Sequence, residues 1–142
     1  MSTYETDFYA WTHDQATRLR THDFARLDID NLIEEIETMG RSERRQLTNR
    51  LEVLLIHLLK WQFQPALRGR SWQLTVVEQR RRIDKLMQTN PSLAPHLLDL
   101  LTEAYADATF GAMRETGLPQ ETFPAACPYT LDEVLSMTWL PG

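Results

Sequence analysis

Cysteine is nearly absent from the chain: Cys127 is the only one among 142 residues, so no intrachain disulfide can form, which fits a reducing cytoplasm. Long apolar runs are missing as well. The most apolar stretch, residues 51–63, is interrupted by Glu52, His57 and Lys60 and falls short of the ~18 apolar residues a membrane span needs. The start, Met1-Ser-Thr-Tyr-Glu-Thr-Asp7, is polar and acidic with no basic lead into an apolar segment, so it does not read as a secretory signal. Glycine-rich phosphate loops, Cys-x-x-Cys pairs and nucleophile elbows do not occur. Nor does any segment alternate with a β period over a useful length, and no internal repeat is present.

Positive charge is not in excess, the net being −5, but its layout is uneven. Residues 1–40 carry nine acids and three arginines, net −6; residues 41–85 carry eleven Lys or Arg and four acids, net +7; residues 86–142 return to −6. A basic middle between acidic flanks is either an anion-binding face or a set of helices whose charges compensate within the fold. The overall negative charge works against nucleic acid.

What the chain does have is helical periodicity. At ~100° per residue, Leu51, Leu54, Leu55, Leu58 and Trp61 form one stripe and Val53, Ile56, Leu59 and Phe63 a second. A helix apolar on two sides is buried on two sides, so this segment is expected to be the spine of the core. Upstream, Ile29, Leu32, Ile33, Ile36, Gly40 and Leu47 fall on the Leu51/Leu54/Leu58 stripe. That shared phase predicts one helix from about Asp28 to Gln64, with a kink at Gly40-Arg41-Ser42 as the alternative. Gly40 inside it costs about 1 kcal/mol relative to Ala, offset if another helix approaches its bare backbone.

Around this rod the other elements follow from caps and stops. Thr6 or Asp7 caps a first helix to about Arg20, with Phe8, Trp11, Gln15 and Leu19 on its docking face. Pro65 stops the long helix. Ser71 is the expected cap of a third, Trp72 to about Gln88, with Trp72, Val76, Ile83, Leu86 and Met87 inward. A fourth runs from about Leu93 to Thr116, its regular part delayed by Pro95 and ended by Gly117 and Pro119. Leu97, Leu101, Ala104, Tyr105, Ala108 and Ala112 share its face. Thr130 and Glu133 make a capping box, with a Tyr129/Val134 staple, that opens a short last helix to about Met137. Trp139 and Leu140 are expected to dock. The class is all-α: a single domain over residues 1–142, a bundle of four principal helices around a long central one, plus a short C-terminal helix.

Several of these segments together resemble a known family. They are Tyr4-Glu-Thr-Asp-Phe-Tyr-Ala-Trp11, Asn31-Leu-Ile-Glu-Glu-Ile-Glu-Thr-Met-Gly-Arg-Ser-Glu-Arg44 and Leu54-Leu-Ile-His-Leu-Leu-Lys-Trp-Gln-Phe-Gln-Pro65. Arg70-Ser-Trp72, Glu78-Gln-Arg-Arg-Arg-Ile83, Ala104-Tyr-Ala-Asp-Ala108, and Gly117-Leu-Pro119 through Phe123-Pro124 to Cys127-Pro128 complete the set. The chain is similar over nearly its whole length to domain-of-unknown-function family 29. The resemblance implies an all-helical, cytoplasmic, bacterial protein and supplies no activity or catalytic residue.

Three constellations are able to carry chemistry. Asp30, Glu34 and Glu37 share a helix flank and, with His57, His13 or Tyr9, are the metal candidates. The chain has neither the Glu-x-x-His of di-iron bundles nor a His-x-x-x-His pair, so the plainer reading is dipole support and pairing with Arg41, Arg44 or Arg45. His57 and Lys60, between the two stripes, are the catalytic candidates; alternatively the His bonds a carbonyl and the Lys snorkels to solvent. Arg68, Arg70, Ser71, Trp72, Arg80, Arg81 and Arg82 are the anion candidates, arginines interleaved with an aromatic at a helix start. The three consecutive arginines point in three directions, so some must pair with acidic helices. Cys127 has no His beside it in sequence and sits at no cap, which argues against a nucleophile.

No cofactor is expected. The leading expectation is a non-enzymatic helical interaction module whose partner is another copy or a different bacterial protein. Anion or nucleic-acid binding through Arg68–Lys85 is the alternative, and a metal- or His57/Lys60-dependent enzyme a third.

Overall fold

The computed structural model describes residues 3–142. Among the described residues there are six α-helices and no strand: α1 (Thr3–Thr6), α2 (Phe8–Arg20), α3 (Ile29–Phe63), α4 (Arg70–Thr89), α5 (Leu97–Thr116) and α6 (Leu131–Leu135). The protein is all-α. α3 is a single 35-residue helix that passes through Gly40 without a break, as the common phase of its apolar positions requires. The chain clusters into two compact units, Met1–Ser42 and Glu43–Gly142, and the division falls inside α3.

In the first unit Asp7 caps α2, its carboxylate accepting the Ala10 N–H at 3.1 Å. α2 docks on the start of α3 through only half of its expected face. Trp11 and Gln15 are buried, whereas Phe8 and Leu19 are about half exposed. The buried pair organises the helix start: Trp11 Nε1 donates to Asp28 Oδ2 at 2.9 Å, and Gln15 Oε1 accepts the Asp28 N–H at 2.8 Å. Asn31 Nδ2 donates to the same carboxylate oxygen at 2.8 Å. Tyr4 closes the cluster, its ring edge-on to Phe8 and Trp11 and its hydroxyl donating to Glu35. That bond, then burial and nearby carboxylates, raise the Tyr4 phenol to about 12.

α2 ends on a left-handed residue that is not glycine. His22 has φ 60°; its N–H donates to Leu19 O at 3.1 Å, and the Asp23 N–H to Arg18 O at 2.8 Å. This is the Schellman pattern with histidine in the usual glycine position.

In the second unit the later turns of α3 are the spine. Leu47, Leu51, Leu54, Leu55, Leu58 and Leu59 are fully buried and Ile56 nearly so, joined by Val76 and Ile83 of α4. α5 contributes Leu97, Leu101, Ala104, Tyr105, Ala108 and Ala112, the face its spacing indicates, together with Leu100. Gly111 of α5 is buried against Ile56. α4 begins earlier than its polar residues suggest: Gly69, extended at φ −159°, occupies the cap position without a side-chain bond, and Ser71 lies inside the first turn. Residues Pro91–His96 form a 3₁₀ segment before α5 rather than its first turns, which satisfies Pro91 and Pro95 without breaking an α-helical ladder. Gly117, φ 72°, terminates α5. The Thr130/Glu133 capping box is formed in full, and α6 ends at Leu135. Trp139 is half-buried, edge-on to Tyr129 at 5.5 Å.

Candidate functional site

The sequence-predicted site residues are dispersed into separate bonding arrangements. On the N-terminal turns of α3, Glu34 and Glu37 both face Arg41, with N–O distances of 3.4 and 3.7 Å, all three well exposed. Asp30 on the same flank is exposed, as are His13 and Tyr9 of α2. Among the described residues no group of three or more His, Cys, Asp or Glu is placed to hold a metal ion.

His57 Nδ1 lies 2.9 Å from the carbonyl of Val53, one turn back on its own helix. Lys60 Nζ bonds Glu115 of α5 at 3.1 Å and sits 4.8 Å over the Trp72 ring. Both have structural partners: that of His57 is within α3 itself, and those of Lys60 tie α3 to α5 and α4.

The arginine constellation divides three ways. Arg68 donates to the Trp61 carbonyl at 2.6 Å and to the Gly142 oxygen at 3.1 Å while stacking on Trp61. Arg80 is buried, its Nε and Nη2 donating to the carbonyls of Val134 and Glu133 at 2.8 and 3.1 Å. These are carbonyls of α6, so a guanidinium of α4 satisfies the short helix, and burial lowers its pKa. Arg82 is paired with Glu78 at 2.8 Å. Arg70 and Arg81, with Lys85, are exposed and have no carboxylate partner among the described residues. They lie on the outward line of α4 that also carries Leu74 and Val77. The shallow depression there is lined by residues of α4 alone. Ser71 is exposed at its start.

Cys127 is half-buried, its Sγ donating to the Tyr129 carbonyl, and burial pushes its thiol up. A raised pKa disfavours the thiolate that nucleophilic chemistry requires. Glu52 is also raised, by burial and then by Asp107, with Arg114 opposing.

One surface was visible in the sequence only as a phase. Ile29, Ile33 and Ile36 are 55, 49 and 61 % exposed, on the same stripe of α3 whose continuation (Leu47, Leu51, Leu54, Leu58) has no exposure at all; Met39, on the edge of that stripe, is 60 % exposed. α1 and α2 bind the flank defined by Asp28, Asn31 and Glu35 and leave this stripe bare. Gly40, on the same line, has nothing within 4 Å of where a Cβ would stand.

The molecule so described is an all-α protein with one 35-residue helix, an exposed apolar ladder on the first turns of that helix, and no cluster able to hold a metal ion among the described residues. The chain belongs to the DUF29 family, a domain of unknown function, whose model matches residues 3–140. Neither a curated protein nor a solved structure matches the chain. No helix among the described residues is long and apolar enough to cross a membrane.

Proposed function

We propose that this protein is a bacterial, cytoplasmic protein-interaction module that works through the first turns of α3. The observation that carries the reading is the ladder of Ile29, Ile33, Ile36 and Met39, about half exposed or more. A contiguous apolar strip rimmed by charge is a surface that water penalises and a partner relieves. Ordinary surface helices turn such a stripe inward, and the later turns of α3 do so. The compartment is assigned on the single thiol. The test is a photo-crosslinking residue at position 36 of the full chain in the native host, with the exposed Thr102 as control. Adducts are expected at 36 and not at 102. No adduct at any ladder position sinks the reading.

A second reading rests on Arg70, Arg81 and Lys85, exposed without carboxylate partners along one line of α4. It assigns this line to a phosphate-bearing anion. Arg81→Ala with Lys85→Ala is expected to abolish low-salt mobility shift of a nucleic-acid probe, while Arg80, being structural, is left in place. An unshifted wild-type probe dismisses it.

A further inference from the structure

Arg80 is a charge taken out of water without a counter-ion. It is 2 % exposed, and among the described residues no carboxylate lies within ion-pair distance of it. Its bonds to the Val134 and Glu133 carbonyls use Nε and one N–H of Nη2, which together form one edge of the planar guanidinium. The adjoining edge, made by Nη1 and the second N–H of Nη2, bonds nothing among the described residues. No side-chain nitrogen or oxygen sealed from solvent lacks a partner there, so Nη1 borders open space.

A cavity of about 510 Å³ that Arg80 lines supplies that space. It lies within the second unit, and its volume is that of a small-molecule site. Ile83 and Met87 of α4, Leu97 of α5, Leu135 of α6 and Met137 beyond it form an apolar wall. The charged lining is Arg80, Arg81 and Asp84, which leave one net positive charge. We propose that this cavity binds a small amphiphile with an apolar body and a single carboxylate, the carboxylate lying end-on against the unbonded edge of Arg80. Two parallel N–H groups match two carboxylate oxygens, and the bound anion compensates a cation that the fold has buried alone. The α6 carbonyls already hold the guanidinium in place, so little side-chain freedom is lost on binding. Asp84, bonded by Gln88 at 2.8 Å, sets the charge limit: a dianionic phosphate monoester would bring a second negative charge against it. The site is separate from the ladder on α3 and shares only Arg81 with the exposed basic line of α4.

Methyl-labelled methionine reads the site directly, since Met87 and Met137 line the cavity and Met39 and Met113 do not. The full chain is titrated at neutral pH with decanoate, decanol and decyl phosphate, each below its micelle concentration. The Met87 and Met137 signals are expected to move saturably while Met39 and Met113 stay still, with decanoate about 10-fold tighter than decanol and tighter than decyl phosphate. Arg80 is left in place because it also anchors α6. Asp84→Asn, an exposed substitution, is expected to strengthen decanoate by about threefold and leave decanol unchanged, a gain that misfolding does not produce. Arg81→Gln keeps the preference for decanoate over decanol, and Lys85→Ala changes nothing. Still Met87 and Met137 signals with every amphiphile overturn the site. Decanol binding as well as decanoate, no gain in Asp84→Asn, or loss of all preference in Arg81→Gln overturns the role of Arg80, and tighter binding of decyl phosphate overturns the single carboxylate.

Discussion

Gly111 and Ile56 meet where α5 crosses α3. A methyl group on Gly111 would collide with Cδ1 of Ile56 and come within 3.1 Å of its Cγ1. Gly111→Ala therefore gains about 1 kcal/mol of helix propensity but overpacks the contact by about 1–3 kcal/mol. A net loss is expected in urea unfolding. Ile56→Val removes the colliding Cδ1, so the double variant should lose less than the two single losses added. Strict additivity would show that the two side chains do not share this space.

The histidine that ends α2 is held in left-handed backbone, φ 60°, which disfavours any residue with a Cβ by about 1 kcal/mol. His22→Gly keeps the two backbone bonds of the motif and relieves that strain. It forfeits the ring stacking of His22 on Phe24 at 5.7 Å, an exposed contact. A higher unfolding midpoint is expected. A lower one would mean that the ring contact outweighs the backbone.

Tyr105 is buried, donates to the Pro124 carbonyl at 2.6 Å, and has its phenol raised from 10.0 to about 12 by burial and by Cys127. The unfolded chain therefore ionises first. The stabilisation is complete below pH 10 and is lost as pH climbs toward 12. Tyr105→Phe should cost about 1 kcal/mol at neutral pH for the lost bond and should make the alkaline decline shallower. Parallel wild-type and variant curves of stability against pH would contradict the assignment.

Arg80→Met keeps the aliphatic stem but leaves the carbonyls of Val134 and Glu133 unpaired, at a cost of about 2–3 kcal/mol. Arg80→Lys should rescue little, because one ammonium does not span two acceptors as a planar fork does. Full rescue by lysine, read from urea midpoints, would show that charge alone matters there.

Much of this architecture is legible in the residues. The phase that Ile36 shares with Leu54 carries one helix through Gly40, and Thr130 with Glu133 announces α6. Periodicity states which residues share a face, however, and not whether anything lies upon it. Leu54 has no exposure and Ile36 is 61 % exposed: within the second unit α4 and α5 pack on the Leu54 face, whereas within the first unit α1 and α2 leave Ile36 bare. The close approach that would offset the cost of Gly40 is not seen: nothing lies within 4 Å of where its Cβ would stand. Arg80 shows the same limit: among three consecutive arginines, the wheel gives three directions, and only the position of α6 selects the one that is buried. His22 and Gly69 were missed because Thr21-His22-Asp23 reads only as a break, and Ser71 is the stronger cap by composition. The signal for Gly111 was its place between Ala108 and Ala112 on a face of small residues.

The grip of Arg80 on α6 bears on how the C-terminal segment behaves when the backbone is cut. A five-residue helix has too few internal bonds to persist alone, yet α6 is anchored by that guanidinium and by buried Val134 and Tyr129. A protease nick in the irregular connection around Ala125-Ala126 should therefore yield two fragments that stay together. The severed but still docked tail would keep its amide protons as long as α4 keeps its own.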